Sequence, residues 1–543
     1  MKGTYAKLWL LTAAFSVIMR LPWLVPGTGI LALVGWIPLL WAEKIADRAG
    51  IRRFWPWHYT AFLLWNAFTT FWIWNATAGG AVFAIAANAL QMSLIFGLYR
   101  LSQKRLGGVL PYLLLAAAWI AWERWYLSSA QISWPWLVLG NAFAKDISLI
   151  QWYEYTGTLG GSLWIWASNL GLFGLLSVLS DGRWKGWNGK ARAAAVTAMV
   201  LLWTVPIGWS EYRFASYQEA SDPLKVVIAQ PNIDPYRKFG GWSQERQNAF
   251  LEGQVREALG HRQDSSALLV LAPETFTWDV VVNEIDSSAT FRRFRRMMAD
   301  YPGANLIFGA ASHEYIFQAE KPSHTAISVG KGVWQESHNS AVVVDGSGRR
   351  DIFHKSKLVV GVEMIPYPAF FAKVDAWLGK MMNTGGVMGR DIGQPEIACL
   401  DIAAPGRVIP AGCAICYESV YGEYCTGYVR KGAQLLTVIT NDAWWGDTPG
   451  YRQHLTYSSL RAIETRRSIA RCANTGISAL IDQRGRILTQ TPWWEPAVLK
   501  GEVNLNTEQT FFVRYGDIPG RVSVLVFGLL LLLLLVRFFL PKE

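Results

Sequence analysis

The 543-residue chain reads as a polytopic α-helical membrane protein of about eight spans with one α/β domain inserted before the last of them. Three observations lead there. Hydrophobic residues make up 52% of the chain, and tryptophan alone occurs 29 times, more than a soluble domain carries. The apolar residues gather in runs close to the ~20 that a helix needs to cross a bilayer. From about Leu224 to Val503 the texture changes to short β-branched runs alternating with charged segments of helical period.

The apolar runs fall at about 8–19, 24–42, 58–77, 79–99, 109–122, 158–180, 193–210 and 522–540. Arg20 and Pro22 are expected to cut the first one short. It is not read as a cleaved leader, because no small-residue cleavage site follows before the next run. Basic residues concentrate in alternate loops: Lys44, Arg48, Arg52 and Arg53; Arg100, Lys104 and Arg105; Arg183, Lys185, Lys190 and Arg192. Short loops rich in Lys and Arg stay in the cytoplasm, so both termini are expected there and everything between the seventh and eighth spans outside. These loops and the termini account for the net charge of +11. Basicity therefore reflects topology and an anionic lipid surface, and nucleic acid is excluded as a partner. The expected division is a seven-span domain over 1–215, a catalytic domain over 224–503 and a last transmembrane helix over 521–540.

Within the inserted domain, "LKVVIAQ", "ALLVLAPE", "NLIFGAA", "SAVVVDGSG", "AICYE", "LLTVITND" and "GISALIDQRGRI" read as buried strands. "SQERQNAFLEGQVREALG" and "HLTYSSLRAIETRRSIARC" read as amphipathic helices. The stretch 361–389, with Met364, Ile365, Phe370, Phe371, Trp377, Leu378, Met381 and Met382, is too apolar for a solvated loop. A long loop of that kind suits a lid for acyl chains, with packing on the domain's own core as the alternative.

Chemistry is carried first by "GCAICYES", where Cys413 and Cys416 stand three apart. On a strand such residues face opposite sides, which disfavours a disulfide or a shared metal. Cys399, Cys425 and Cys472 supply no zinc-type spacing. A single nucleophilic cysteine needs a base and a cation or donor for the oxyanion. Glu274, closing "LLVLAPETFTW", suits a base at the mouth of an apolar strand, and Lys355, in "DIFHKSKLV", suits the cation. His454 in "YRQHL" reads as structural. Asp442 and Trp444 in "NDAWWGD" form either a site loop or a turn scaffold.

The order Glu274, Lys355, Cys416 in "APETFTW", "FHKSKLV" and "AICYES" resembles the nitrilase, or carbon–nitrogen hydrolase, superfamily with its Glu-Lys-Cys triad and α-β-β-α sandwich. Such a domain set between seven spans and one resembles the apolipoprotein N-acyltransferase family, as do "ITNDAWWGDTPGYRQHL" and "RAIETRRSIARCANTGISALID". The resemblance implies Glu274 as base, Cys416 as thiolate nucleophile and Lys355 at the oxyanion, with Lys357 as its rival. It also implies Glu363, Tyr417, Glu418 and Asn339 as supporting or substrate-binding residues. It implies a phospholipid acyl donor, a diacylglyceryl-modified apolipoprotein acceptor, a periplasmic catalytic domain on the bacterial inner membrane, and neither cofactor nor metal. Two positions depart from the family pattern. "VVGVEMIPY" keeps Glu363 but not the usual proline and phenylalanine before it, and after "IAQPNIDP" Trp242 stands in, a few residues late, for the usual tryptophan.

Overall fold

The computed structural model describes residues 2–238, 240–381 and 388–539. The chain forms two compact units, one of Met1–Ala130, Trp134–Tyr217 and Tyr515–Glu543 and the other of Gln131–Ser133 and Gln218–Arg514.

The first unit is all helical. Helices stand at all eight expected places, and among the described residues six are long and apolar enough to cross a membrane: Lys2–Leu24, Gly29–Arg48, Ala78–Ser102, Thr158–Ser180, Gly189–Ser216 and Ile518–Phe539. The other two are Trp55–Thr70, of 16 residues, and Leu110–Ser128, which carries Glu123 and Arg124 near its end. Arg20 and Pro22 do not shorten the first helix as expected. It runs through both, and the Arg20 guanidinium lies 5.3 Å over the Phe68 ring, where a cation is tolerated beside apolar neighbours. Part of the abundant tryptophan is core: Trp36 packs against Phe15, Phe62, Trp65, Trp119 and Trp166, whereas Trp9, Trp55 and Trp74 are exposed. Asn169 accepts from the Trp36 amide at 2.8 Å and donates to the Ala32 carbonyl at 2.8 Å, satisfying backbone that the 3₁₀ turn Gly29–Leu33 leaves outside a regular helix.

The second unit is built on two sheets. In chain order its strands are β1 (Pro223–Gln230), β2 (Leu268–Leu271), β3 (Ala304–Phe317), β4 (Ile327–Gly330), β5 (Val333–Asp345), β6 (Arg350–His354), β7 (Leu400–Ala404), β8 (Arg407–Ile415), β9 (Leu435–Thr440), β10 (Ile469–Ala473), β11 (Ala479–Ile481), β12 (Ile487–Gln490) and β13 (Ala497–Asn504). One sheet has the order β13-β1-β2-β3-β5-β4, with β6 also paired to β5; the other runs β12-β11-β10-β9-β8-β7. Strands β1, β2 and β3 are mutually parallel, as are β8, β9 and β10.

Side chains alternate across each strand, and the burial follows that period of two. Val226, Ile228, Leu269, Leu271, Ile307 and Val343 join Ile402, Ala411, Cys413, Ile415, Val438 and Ile469 in one core between the sheets. Their neighbours Val227, Ala229, Val270, Leu306, Phe308 and Val342 point outward, against the helices Gln244–Leu259 and Ala289–Ala299. Helices Gly422–Arg430 and Pro449–Thr465 cover the second sheet. This is the α-β-β-α sandwich.

Two segments differ from the sequence reading. The helix expected to continue to Cys472 ends at Thr465, because Arg466 takes a left-handed conformation (φ 49°) and the chain re-enters the sheet as β10. Part of the expected loop 361–389 is a helix, Pro368–Met381, with Phe370, Trp377 and Met381 exposed and Ile365, just before it, buried. Met382 lies outside the described residues.

Candidate active site

The candidate residues converge because three of them follow strand ends and a fourth lies within a strand. Glu274 follows β2, Lys355 follows β6 directly, Cys416 follows β8 directly, and Asn339 lies within β5. Lys355 is 1% exposed and its Nζ donates to Glu274 Oε1 at 3.2 Å and to Glu363 Oε1 at 2.8 Å. Asn339 Nδ2 donates to the same two oxygens at 2.8 Å each. Backbone amides complete the set, Asn441 on Glu274 Oε2 at 3.1 Å and Val359 on Glu363 Oε2 at 2.7 Å. Two carboxylates, Glu274 buried and Glu363 half-buried, thus share one ammonium and one amide, which fixes both in place. Burial alone would lower the Lys355 pKa, but Glu274 and Glu363 hold the ammonium protonated, well above its ordinary value.

Cys416 is the first residue of a 3₁₀ turn and takes a left-handed backbone conformation (φ 51°), unusual for a residue with a side chain. The turn carries the thiol off the end of β8. Burial, and next the charge of Glu274, raise its pKa well above the ordinary value, against Lys355. The resting group is therefore the thiol. Cys413 lies in the core between the sheets with its thiol pushed up to about 12 by burial, and all five cysteines are free. The two thiols thus lie in different surroundings, Cys413 in the core between the sheets and Cys416 on the turn after β8.

The Lys357 Nζ sits over the Tyr421 and Tyr424 rings, and burial lowers its pKa against the opposing charge of Glu418. Glu418 is fully buried and acts as a clamp. Its Oε1 accepts from the Ser356 amide (2.7 Å), the Lys357 amide (3.2 Å) and Tyr424 OH (2.7 Å), and its Oε2 from the Ile415 amide (2.8 Å) and Tyr428 OH (3.4 Å). One side chain thereby ties the lysine loop to the cysteine turn. Tyr417 OH donates to the Ser133 carbonyl at 3.1 Å. Trp242 meets Phe250 edge-to-face and lies under the Arg246 guanidinium.

Glu274, Asn339, Glu363, Asp391, His338 and Trp444 line a recess of about 460 Å³. Burial, then Glu363, raises Asp391 to about 6. The loop after β9 divides its roles: Trp444 lines the recess, while Asp442 is fully buried. Asp442 packs with His454 and Arg471, a group whose participation the sequence does not reveal. Burial and then Arg471 lower the His454 pKa; for Asp442, Arg471 and His454 overcome the opposing effect of burial and hold it at about 2. Ligand atoms of Cys416, Asp442 and His454 come within 4.8 Å of one another, but the Arg471 guanidinium, 2.6 Å from Asp442, already supplies the positive charge a cation would bring.

A buried carboxylate and ammonium beside a thiol on a tight turn are the parts of nucleophilic acyl chemistry. The carbon-nitrogen hydrolase family model matches residues 244–511, and that of the apolipoprotein N-acyltransferase N-terminal domain matches 10–171. A Chlorobaculum tepidum protein named apolipoprotein N-acyltransferase is 27% identical over 513 residues, covering 93% of this chain and 92% of its own. One from Geobacter metallireducens with the same name is 27% identical over 534 residues, 94% and 92% of the two chains. The solved structure of Nit3 from Saccharomyces cerevisiae, a member of branch 10 of the nitrilase superfamily, is similar over 53% of this chain and 92% of its own, at 14% identity and a TM-score of 0.36.

Proposed function

The chain belongs to the apolipoprotein N-acyltransferase family, and we propose that it carries a fatty acyl chain from a membrane phospholipid, through a thioester on Cys416, to the N-terminal amine of the diacylglyceryl-modified cysteine of an apolipoprotein. In the first half-reaction Glu274 takes the Cys416 proton as sulfur attacks the ester carbonyl. The oxyanion develops toward Lys355 Nζ. The ester C–O bond then breaks, the leaving alkoxide takes the proton back from Glu274, and a lysophospholipid departs. In the second half-reaction the acceptor amine attacks the thioester carbonyl and gives a proton to Glu274. The C–S bond breaks, and the thiolate recovers a proton.

The observation that carries this reading is the Lys355 ammonium held between Glu274 and Glu363 at 3.2 and 2.8 Å. The contacts keep the cation charged without a flexible side chain, so little reorganisation is needed when charge appears on the substrate. A thiol whose pKa is raised suits a base that acts only once substrate is in place. Glu363 and Asn339 hold the base, and Glu418 and Tyr417 hold the turn. The placement that goes with this chemistry is a multi-pass protein of the bacterial inner membrane, with residues 224–503 as a periplasmic catalytic domain between the seven-span domain over 1–215 and the last helix over 521–540.

Mass spectrometry of the intact protein incubated with phospholipid tests it. The expected result is a gain of one acyl chain, removed by hydroxylamine, absent from Cys416→Ala and discharged by a lipid-modified peptide amine. No adduct, or an adduct that water removes as fast as the amine does, overturns the reading in favour of an amidase.

A further inference from the structure

The turn that presents Cys416 is gripped by a buried polar chain that the steps above leave unused. Arg471 in β10 donates to Asp442 Oδ2 at 2.6 Å and lies 3.1 Å from His454 Nδ1, while Asp442 Oδ1 is 2.9 Å from that nitrogen. Nδ1 therefore has a partner in either state, donating to Asp442 or accepting from Arg471. On the other edge of the ring, Nε2 lies 3.1 Å from the Cys416 carbonyl oxygen and 3.0 Å from Ser419 Oγ, and Ser419 Oγ itself donates to that carbonyl at 2.7 Å. Thr440 Oγ1 donates to Asp442 Oδ1 at 2.8 Å, and Arg471 Nε donates to the Ile477 carbonyl at 3.2 Å. Arg471, Asp442, His454 and Ser419 are each 0% exposed. Sequestering such charges gains little stability over an apolar packing of the same volume, so stability alone does not account for the group.

The oxygen they hold belongs to a left-handed residue, a conformation that persists only where the surroundings over-determine it. In a planar trans peptide the C=O and N–H point to opposite edges. Fixing the Cys416 oxygen therefore also fixes the direction of the Tyr417 N–H, the amide directly after the nucleophile, a position from which acyl-transfer turns stabilise an oxyanion. We propose that His454, oriented by Asp442 and Arg471, is a positioning residue that holds the Cys416–Tyr417 peptide so that the Tyr417 N–H faces the oxyanion together with Lys355. The proposal rests on the acyl-transfer reading and adds to it a device that the Glu-Lys-Cys set does not contain.

Three measurements on the full chain in detergent test it: the rate of acyl-enzyme formation from a soluble thioester, the affinity for a long-chain aldehyde that adds to the thiol as a tetrahedral thiohemiacetal, and the rate of Cys416 alkylation by iodoacetamide, which passes through no oxyanion. In His454→Ala, acylation slows about 10²-fold, the effect of losing one oxyanion donor. Aldehyde affinity falls by a similar factor, KM is unchanged, and alkylation, located to the Cys416 peptide by mass, stays near the wild-type rate. His454→Gln, whose amide donates from about the Nε2 position, recovers most of the loss; His454→Asn, too short to reach the carbonyl, does not, and this pair carries the test if the alanine variant fails to fold. Alkylation falling in step with acylation, equal losses in the Gln and Asn variants, or unimpaired acylation in His454→Ala or His454→Asn each overturns the proposal. A wild-type chain that accepts no acyl group sinks the acyl-transfer reading instead.

Discussion

Replacing Glu418 tests whether one buried carboxylate couples the lysine loop to the cysteine turn. Its oxygens receive three backbone amides, from Ser356, Lys357 and Ile415, and the hydroxyls of Tyr424 and Tyr428, with the side chain fully buried. In Glu418→Ala one buried and two part-buried N–H groups lose their acceptor, each at about 1–3 kcal/mol, so a loss of roughly 5 kcal/mol is expected. That is a large part of the 5–15 kcal/mol by which domains are typically stable, and the variant should barely fold. Glu418→Gln keeps the volume and one oxygen. If that oxygen stays with Ser356, Lys357 and Tyr424, the new NH₂ meets the Ile415 N–H donor to donor. One charge-assisted bond is then lost, about 2 kcal/mol, or about 3 °C in the unfolding midpoint of a domain this size. Because Ile415 is the residue before the nucleophile, acyl-enzyme formation should slow about tenfold, the rate equivalent of about 1.4 kcal/mol of barrier. Thermal unfolding followed by tryptophan fluorescence, together with single-turnover acylation, reads both quantities. A glutamine variant that melts within about 1 °C of wild type and acylates at the same rate would refute the clamp.

Cys416→Ala should abolish N-acylation while Cys413→Ala, a core thiol pushed up to about 12 by burial, keeps most of it; comparable loss from both, with each variant folded, would revive a paired-cysteine chemistry. Cys416 is raised above its ordinary value, so its alkylation should climb about tenfold per pH unit through neutrality without levelling below pH 8. Removing the negative charge in Glu274→Gln lowers the thiol pKa and speeds alkylation at pH 7, and removing the positive one in Lys355→Met raises it and slows alkylation; the reverse order, read by peptide mass spectrometry, would contradict the assigned electrostatics. Phe370 and Trp377, 64% and 60% exposed, should accept lipid: Phe370→Glu or Trp377→Glu is expected to impair acylation from phospholipid at least tenfold more than from a soluble short-chain thioester, and equal impairment would assign the helix to the core. A cysteine introduced beside Lys185 should be shielded from impermeant thiol reagents in whole cells and one beside Asp264 labelled; the opposite pattern would invert the protein.

The eight helical positions and the α/β insertion were legible in the chain itself, because hydropathy over about 20 residues and a period of two or 3.6 are local properties that neighbours in sequence express by themselves. The candidate Glu-Lys-Cys set was legible through the resemblance of "APETFTW", "FHKSKLV" and "AICYES" to a known family, since each residue taken singly also has an ordinary structural reading. Local signals did not reveal that Glu363 shares both Lys355 and Asn339 with Glu274, that Glu418 joins residues 356, 357 and 415, or that His454 reaches the Cys416 carbonyl. Nor did the charged run through Arg466 and Arg467 announce the end of a helix and a strand carrying the fully buried Arg471. Those depend on which strand ends meet when two sheets close face to face. Residues 81 apart, such as Glu274 and Lys355, carry no mark of their partner until β2 and β6 take their places in one sheet. A buried charge reads as an ordinary surface residue until the fold supplies its counter-charge, because burial and pairing are properties of the assembled layers and not of the run of residues around it.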